Sequence, residues 1–271
     1  MRRWIPIMIA AMVALAAAPP ATAGTASGTV TGTVTGTVTG TVTGTASGTT
    51  RGAAAGTTTG TASKAVDCAR VKCIALTFDD GPGRYTGKLL DLLRRHRTKV
   101  TFFLIGERVE KYPAIARKIA REGHQIGVHT FTHPHLPTLL DDQIRDELGR
   151  TKDVIRKVTG KEPDLMRPPY GDTDERVGAI AAELGMSQIL WNASSRDWEL
   201  RDTDAIARRV LSLAKRDRVV LMHDIWPQTV AAMPRILKTL EKRGYHVVPV
   251  TSLLRGRHLA PGEVYPVGGW N

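Results

Sequence analysis

Ile74-Ala75-Leu76-Thr77-Phe78-Asp79-Asp80-Gly81-Pro82 opens as a largely apolar run and ends in two adjacent carboxylates followed by a turn-forming Gly-Pro pair. Such a run, closed off by Gly and Pro, reads as a buried strand over residues 74–78. Outward from it the same kind of segment recurs at 100–104, 125–129, 165–167, 187–191, 219–222 and 246–250. Between these lie stretches with the longer amphipathic spacing of helices, at 87–97, 114–121, 141–158, 174–184, 202–214 and 228–242. Asp141, Asp174 and Asp202 are placed to start helices, and Gly123, Gly160 and Gly244 to stop them. Strict alternation of strand and helix implies an α/β fold, a mainly parallel sheet with helices outside it. Seven strands fit either an incomplete barrel or an open doubly wound sheet. In both, functional groups collect just past the carboxyl ends of the strands.

The chemistry-bearing residues follow that rule. Asp79 and Asp80 end the first strand, and on an extended backbone neighbouring side chains point to opposite sides, so the two carboxylates are expected to divide their roles. The third strand ends in His129-Thr130-Phe131-Thr132-His133. Two His four residues apart on one side of a helical turn suit one divalent metal. No carboxylate lies between them, so a general base has to come from elsewhere, and Asp79 or Asp80 is available. The fourth strand ends in Arg167-Pro168-Pro169-Tyr170-Gly171, where the prolines stiffen the path and leave the Tyr170 amide as a donor. Arg167 is a permanent cation able to hold a carboxylate. Asp197-Trp198 follows the fifth strand, and Leu221-Met222-His223-Asp224 the sixth. Singly, each has a plain structural reading, whether a capped turn, a surface His pair, a Pro-rich turn or a His closing a buried strand. Together, five motifs at five strand ends argue for one site.

In these five motifs, in this order, residues 66–255 resemble the polysaccharide deacetylases with a NodB-homology domain, the fourth family of carbohydrate esterases. The resemblance implies a distorted (β/α) barrel with about seven parallel strands. It also implies a metal held by Asp80, His129 and His133, with zinc first in line and cobalt, nickel or manganese as alternatives. By the same resemblance Asp79 is the catalytic base, Arg167 orients it, Tyr170 gives a backbone donor to the oxyanion, His223 is the general acid and Asp197 tunes it, while Trp198 and Leu221 wall the acetyl pocket. The fourth motif departs from the form frequent in relatives, which begins with Asp, since Ser194 stands in the leading position of Ser194-Ser195-Arg196-Asp197-Trp198.

The flanks and the charge supply the address. Residues 1–23 carry Arg2 and Arg3, an apolar run and a closing Ala21-Thr22-Ala23, the pattern of a secretory signal peptide; the run is short for a membrane span, so none is expected after cleavage. Residues 24–64 are almost wholly Gly, Thr, Ala, Ser and Val, without the side chains to build a core, and read as a disordered stalk. The catalytic domain is expected at 65–260, with a tail at 261–271. Cys68 and Cys73, the only cysteines, read as a small disulfide in an oxidising compartment. From Asp67 onward 34 basic side chains face 26 acidic ones. Such a surface attracts polyanions, and an exported chain meets anionic wall polymer before nucleic acid. The expected protein is therefore a secreted or wall-associated monomer acting on an N-acetylated polysaccharide, with peptidoglycan favoured over chitin oligomers. An acetylxylan O-deacetylase, a non-catalytic carbohydrate-binding wall protein and a glycosidase are the competing readings, and the last is disfavoured because its paired carboxylates should stand on different strands.

Overall fold

The apolar run that begins at Ile74 is the middle of a ten-residue strand, Lys72–Gly81, in a computed structural model that describes residues 66–267. In chain order the elements are β1 (Lys72–Gly81), α1 (Thr86–Arg95), β2 (Thr101–Leu104), α2 (Gly106–Lys111), α3 (Pro113–Arg121), β3 (Gln125–Val128), α4 (Asp141–Thr159), β4 (Leu165–Met166), α5 (Glu175–Glu183), β5 (Ser187–Ile189), β6 (Ala193–Ser194), α6 (Asp197–Leu200), α7 (Thr203–Leu213), β7 (Val219–His223), α8 (Pro227–Lys242), β8 (Tyr245–Val247), α9 (Val250–Leu253) and β9 (Val264–Tyr265). Asp174 and Asp202 cap α5 and α7 by accepting from the amides of Val177 and Ala205 at 2.7 and 2.6 Å. α4 begins at Asp141 as expected, and there the cap comes from Gln143, which reaches back to accept from the Leu140 amide at 2.9 Å.

The strands are all parallel and run in the order β6-β7-β1-β2-β3-β4-β5-β9, with β8 on the amino-terminal part of β1. A doubly wound sheet would reverse direction near its middle; here the order is that of the sequence, with β1 wrapping round to meet β7. This is a barrel, and it is distorted and incomplete, because no pairing among the described residues joins β9 to β6. The pleat sorts β1 into two sets. Ile74, Leu76 and Phe78 pack with helical residues such as Leu89, Leu93 and Ile236 in the larger core, whereas Ala75 joins Cys73, Phe103, Leu165, Ile189 and Val219 in a second cluster. That smaller cluster includes the Cys68–Cys73 disulfide, which the structure forms as expected.

Three expectations need correction. The strand expected over 246–250 stops at Val247, because Pro249 has no amide for the ladder and leads into α9. The sheet extends past residue 260, since Val264 and Tyr265 pair with Gln188 and Ile189 as β9. The short elements α2, α6, α9, β6 and β9 went unforeseen; none is long enough to show a period. The expected leader at 1–23 and stalk at 24–64 lie outside the described residues. No helix among the described residues is long and apolar enough to cross a membrane.

Candidate active site

At the carboxyl end of β1, Asp79 stands in register with His223 of β7 and is almost wholly buried. Asp80 follows with φ +67°, a left-handed backbone that breaks the pleat. Both carboxylates therefore line one cavity, contrary to the alternation expected of an extended chain. Gly81 lets the turn close. A Cβ there would come within 2.7 Å of the Asp224 carboxylate, which is buried and hydrogen-bonded by the Thr86 hydroxyl. Burial, more than any other influence, pushes the Asp224 pKa up to about 7.

The two His are brought together differently from expectation. Residues 129–133 form no helix; Thr130 and His133 adopt left-handed φ values of +61° and +69° instead. Glu147 of α4 holds this loop in place, accepting from the amides of Phe131 and Thr132 at 2.7 and 2.9 Å and from the Thr132 hydroxyl at 2.6 Å. His129 Nδ1 donates to the Arg167 carbonyl at 2.7 Å, which leaves Nε2 as the lone-pair nitrogen. Nε2 of His129 and Nε2 of His133 lie 3.4 and 3.3 Å from Asp80 Oδ1. Burial, and then the charge of His129, lower the His133 pKa, keeping it in the neutral form that ligates. Burial pushes Asp80 the other way, but the nearness of His129, with His223 and His133 behind it, outweighs burial and holds the carboxyl well below the usual range.

Asp80 Oδ1 is buried with no hydrogen-bond donor, and it and the two Nε2 atoms form a group whose ligand atoms all lie within 4.8 Å of one another. Two neutral imidazoles and a carboxylate converging on one point are the donor set of a divalent ion with open positions. The residues fit the implied metal.

Arg167 lies beneath this group with no exposed surface. Its guanidinium donates to Asp79 Oδ1 at 2.8 Å, to Thr77 Oγ1 at 2.7 Å, and to the carbonyls of Ile189 and Leu190 at 2.9 and 2.8 Å, while stacking on Phe103. On the other flank, Asp197 accepts from His223 twice, at its amide (2.7 Å) and at Nδ1 (2.8 Å). Burial disfavours the charged imidazole. The Asp197 hydrogen bond and charge, with Asp80 and Asp79 behind them, overcome this and raise the His223 pKa to about 9. Tyr170, at φ +61°, and Trp198, whose ring centroid lies 5.3 Å from that of His223, close the cavity with Leu221; its volume is about 360 Å³. Every metal-ligand and acid-base residue expected from the sequence thus sits at one mouth of the barrel. Ser194, the departure in the fourth motif, accepts weakly from the Arg196 amide at 3.3 Å.

Comparison with known proteins decides the family. The model for "Polysaccharide deacetylase" matches residues 67–189. A peptidoglycan-N-acetylglucosamine deacetylase of Bacillus cereus is 40% identical over 193 residues, covering 69% of this chain and 90% of that protein. The chain belongs to the polysaccharide deacetylase family. A peptidoglycan-N-acetylmuramic acid deacetylase of Bacillus subtilis, PdaC, is 36% identical over 183 residues, which are 67% of this chain and only 38% of that protein. The solved structure of a T48 deacetylase with substrate superposes with a TM-score of 0.71 at 39% identity, covering 74% of this chain and all of that one. In this polysaccharide deacetylase the sequence reading missed two lining residues, Trp191 and Trp226. Both follow strand ends, and an aromatic at that position was a usable signal. Glu147 gave none, because a Glu on an exposed helix looks like any other.

Proposed function

We propose that the protein is a metal-dependent N-deacetylase of cell-wall peptidoglycan that hydrolyses the acetamido group of N-acetylglucosamine residues and releases acetate. The observation that carries this reading is the convergence of Asp80, His129 and His133 on one point, with Asp79 held by Arg167 beside it and His223 held by Asp197 across the cleft. Asp80, His129 and His133 would hold the ion, zinc before cobalt, nickel or manganese; when bound, it polarises an amide carbonyl and lowers the pKa of water.

The chain's own groups do the rest. Asp79, fixed by Arg167 and outside the ligand set, takes the proton of the attacking water. The Tyr170 amide, on a path stiffened by Pro168 and Pro169, donates to the developing oxyanion. An amine leaves only once protonated, and His223, raised to about 9, carries that proton at neutral pH. Trp198 and Leu221 form an apolar wall against which the acetyl methyl group packs. Export of the chain, action at the wall and a monomeric state complete the proposal.

The deciding experiment measures acetate release from peptidoglycan, chitin oligomers and acetylxylan side by side, with and without chelator. We expect chelator-sensitive release, fastest from peptidoglycan, with the polymer left uncut. Preference for acetylxylan would move the function to O-deacetylation, and no release from any would favour a binding protein. Asp79→Asn should retain its metal and lose about a hundredfold or more in turnover; near-normal turnover would remove Asp79 as base.

A further inference from the structure

Arg201 sits at the carboxyl end of α6 with a left-handed backbone, φ +46°, and its amide donates to the Asp197 carbonyl. Its side chain is fixed at two more points. Nε donates to the Trp198 carbonyl at 2.7 Å, and the guanidinium carbon lies 3.4 Å from the centroid of the Trp226 ring. Both tryptophans line the active-site cavity. Arg201 is exposed, and no carboxylate among the described residues pairs with it. Its neighbour Arg196 shows the contrast, being closed off by Glu199 at 2.5 Å. A guanidinium whose Nε is already engaged, stacked on an indole and lacking a counter-ion, presents its two terminal amino groups as a preformed fork for a carboxylate.

We propose that Arg201 and Trp226, with Trp198, form a specificity subsite that recognises a carboxylate borne by the polymer next to the sugar under attack. The inference rests on the peptidoglycan reading and deepens it. A neutral homopolymer of N-acetylglucosamine offers no such group, whereas a wall glycan carries carboxylates on lactyl ethers, or on the peptides attached to them. Stacking on the Trp226 indole holds the guanidinium flat and ready to pair with the anion. Trp198 walls the acetyl pocket with its ring and holds Arg201 only through its backbone carbonyl, so Arg201 acts on binding and selection rather than on the chemical step.

The test compares KM and kcat of the metal-loaded full chain on three substrates: neutral N-acetylglucosamine oligomers, glycan strands stripped of peptide so that lactyl carboxylates are free, and strands with peptides intact. For Arg201→Gln, KM on the carboxylate-bearing strands relative to the neutral oligomers should rise about tenfold, the effect of one charge-assisted hydrogen bond, with kcat ratios unmoved. A rise on stripped strands identifies the lactyl group, and a rise confined to intact strands identifies the peptide. Arg201→Lys should recover part of the loss. Amidating the carboxylates chemically should raise KM for the wild-type chain to the same extent, a check that needs no variant. An equal rise on neutral oligomers, a fall in kcat instead, or no response to amidation would overturn the subsite. If the wild-type chain released acetate from none of the three, the deacetylase reading would fail on its own. The subsite would then be judged by whether Arg201→Gln abolishes the difference in binding between charged and amidated strands.

Discussion

Asp197 has no exposed surface, and its two oxygens accept from the amides of His223 and Trp198, from His223 Nδ1 and from the Thr229 hydroxyl. Four donors fill its lone pairs, so the carboxylate cannot turn away from the imidazole. That fixes the pH behaviour expected of the acid. The His223 pKa is raised from 6.5 to about 9, so the proton needed by the leaving amine is present below that value and lost as pH rises through it. Asp197→Asn removes the charge and keeps the shape, which leaves burial to push the pKa down. The alkaline limb of kcat should therefore move to lower pH, and an unmoved limb in a kcat–pH profile would take His223 out of the acid's role. Arg167 shows how far such pairs can be read without coordinates. A lone Arg after a strand rich in apolar residues is a cation in search of a carboxylate, and Asp79 is where it goes. Its other partners, Thr77 and the carbonyls of Ile189 and Leu190, depend on how β1 and β5 are placed, and no local pattern encodes that.

The loop between β3 and α4 carries the two His, and its shape departs from the helical turn that their spacing predicts. Spacing of four suggests a helical turn because that is the commonest way to align such residues. Here Thr130 and His133 take left-handed conformations, a local strain that needs support. Glu147 gives it through three hydrogen bonds to Phe131 and Thr132, and the Thr130 hydroxyl adds a fourth contact from the His133 amide at 3.1 Å. The two residues that Glu147 holds lie sixteen and fifteen positions before it and on a separate element, so the sequence shows the histidines without showing what aims them. Glu147→Ala should leave α4 folded, since the residue is not part of its buried face. Metal affinity should fall by about ten- to a hundredfold, the usual loss when support around a ligand is removed. A zinc-competition titration checks this, and an unchanged affinity would mean that the loop holds its own shape.

At the scale of the whole barrel, the interior is layered: the disulfide and Val219 belong to one apolar cluster, Arg167 bonds across from β4 to β1 and β5, and the acids and imidazoles line the mouth. Alternation of strand and helix revealed the layers and the end at which chemistry gathers, but not the closing of β1 against β7, because strand order depends on non-local pairing. That closure matters for stability as well as catalysis. Asp80 on β1 and the two His after β3 meet only in the folded barrel, so an ion binding there binds the native state alone and must stabilise it. At zinc a hundredfold above its dissociation constant the gain is about 2.7 kcal/mol. For a domain of this size, each kcal/mol is worth about 2–4 °C in Tm. Returning zinc to the chelated protein should thus raise Tm by roughly 5–10 °C, as calorimetry can measure. Cys68 and Cys73 are joined to each other and do not compete for the ion in the unfolded chain. His129→Ala should abolish the zinc-dependent rise while leaving the barrel folded, since it takes away none of the apolar side chains of either core. A rise of equal size in that variant would place the ion elsewhere and undo the assignment of Asp80, His129 and His133 as its ligands.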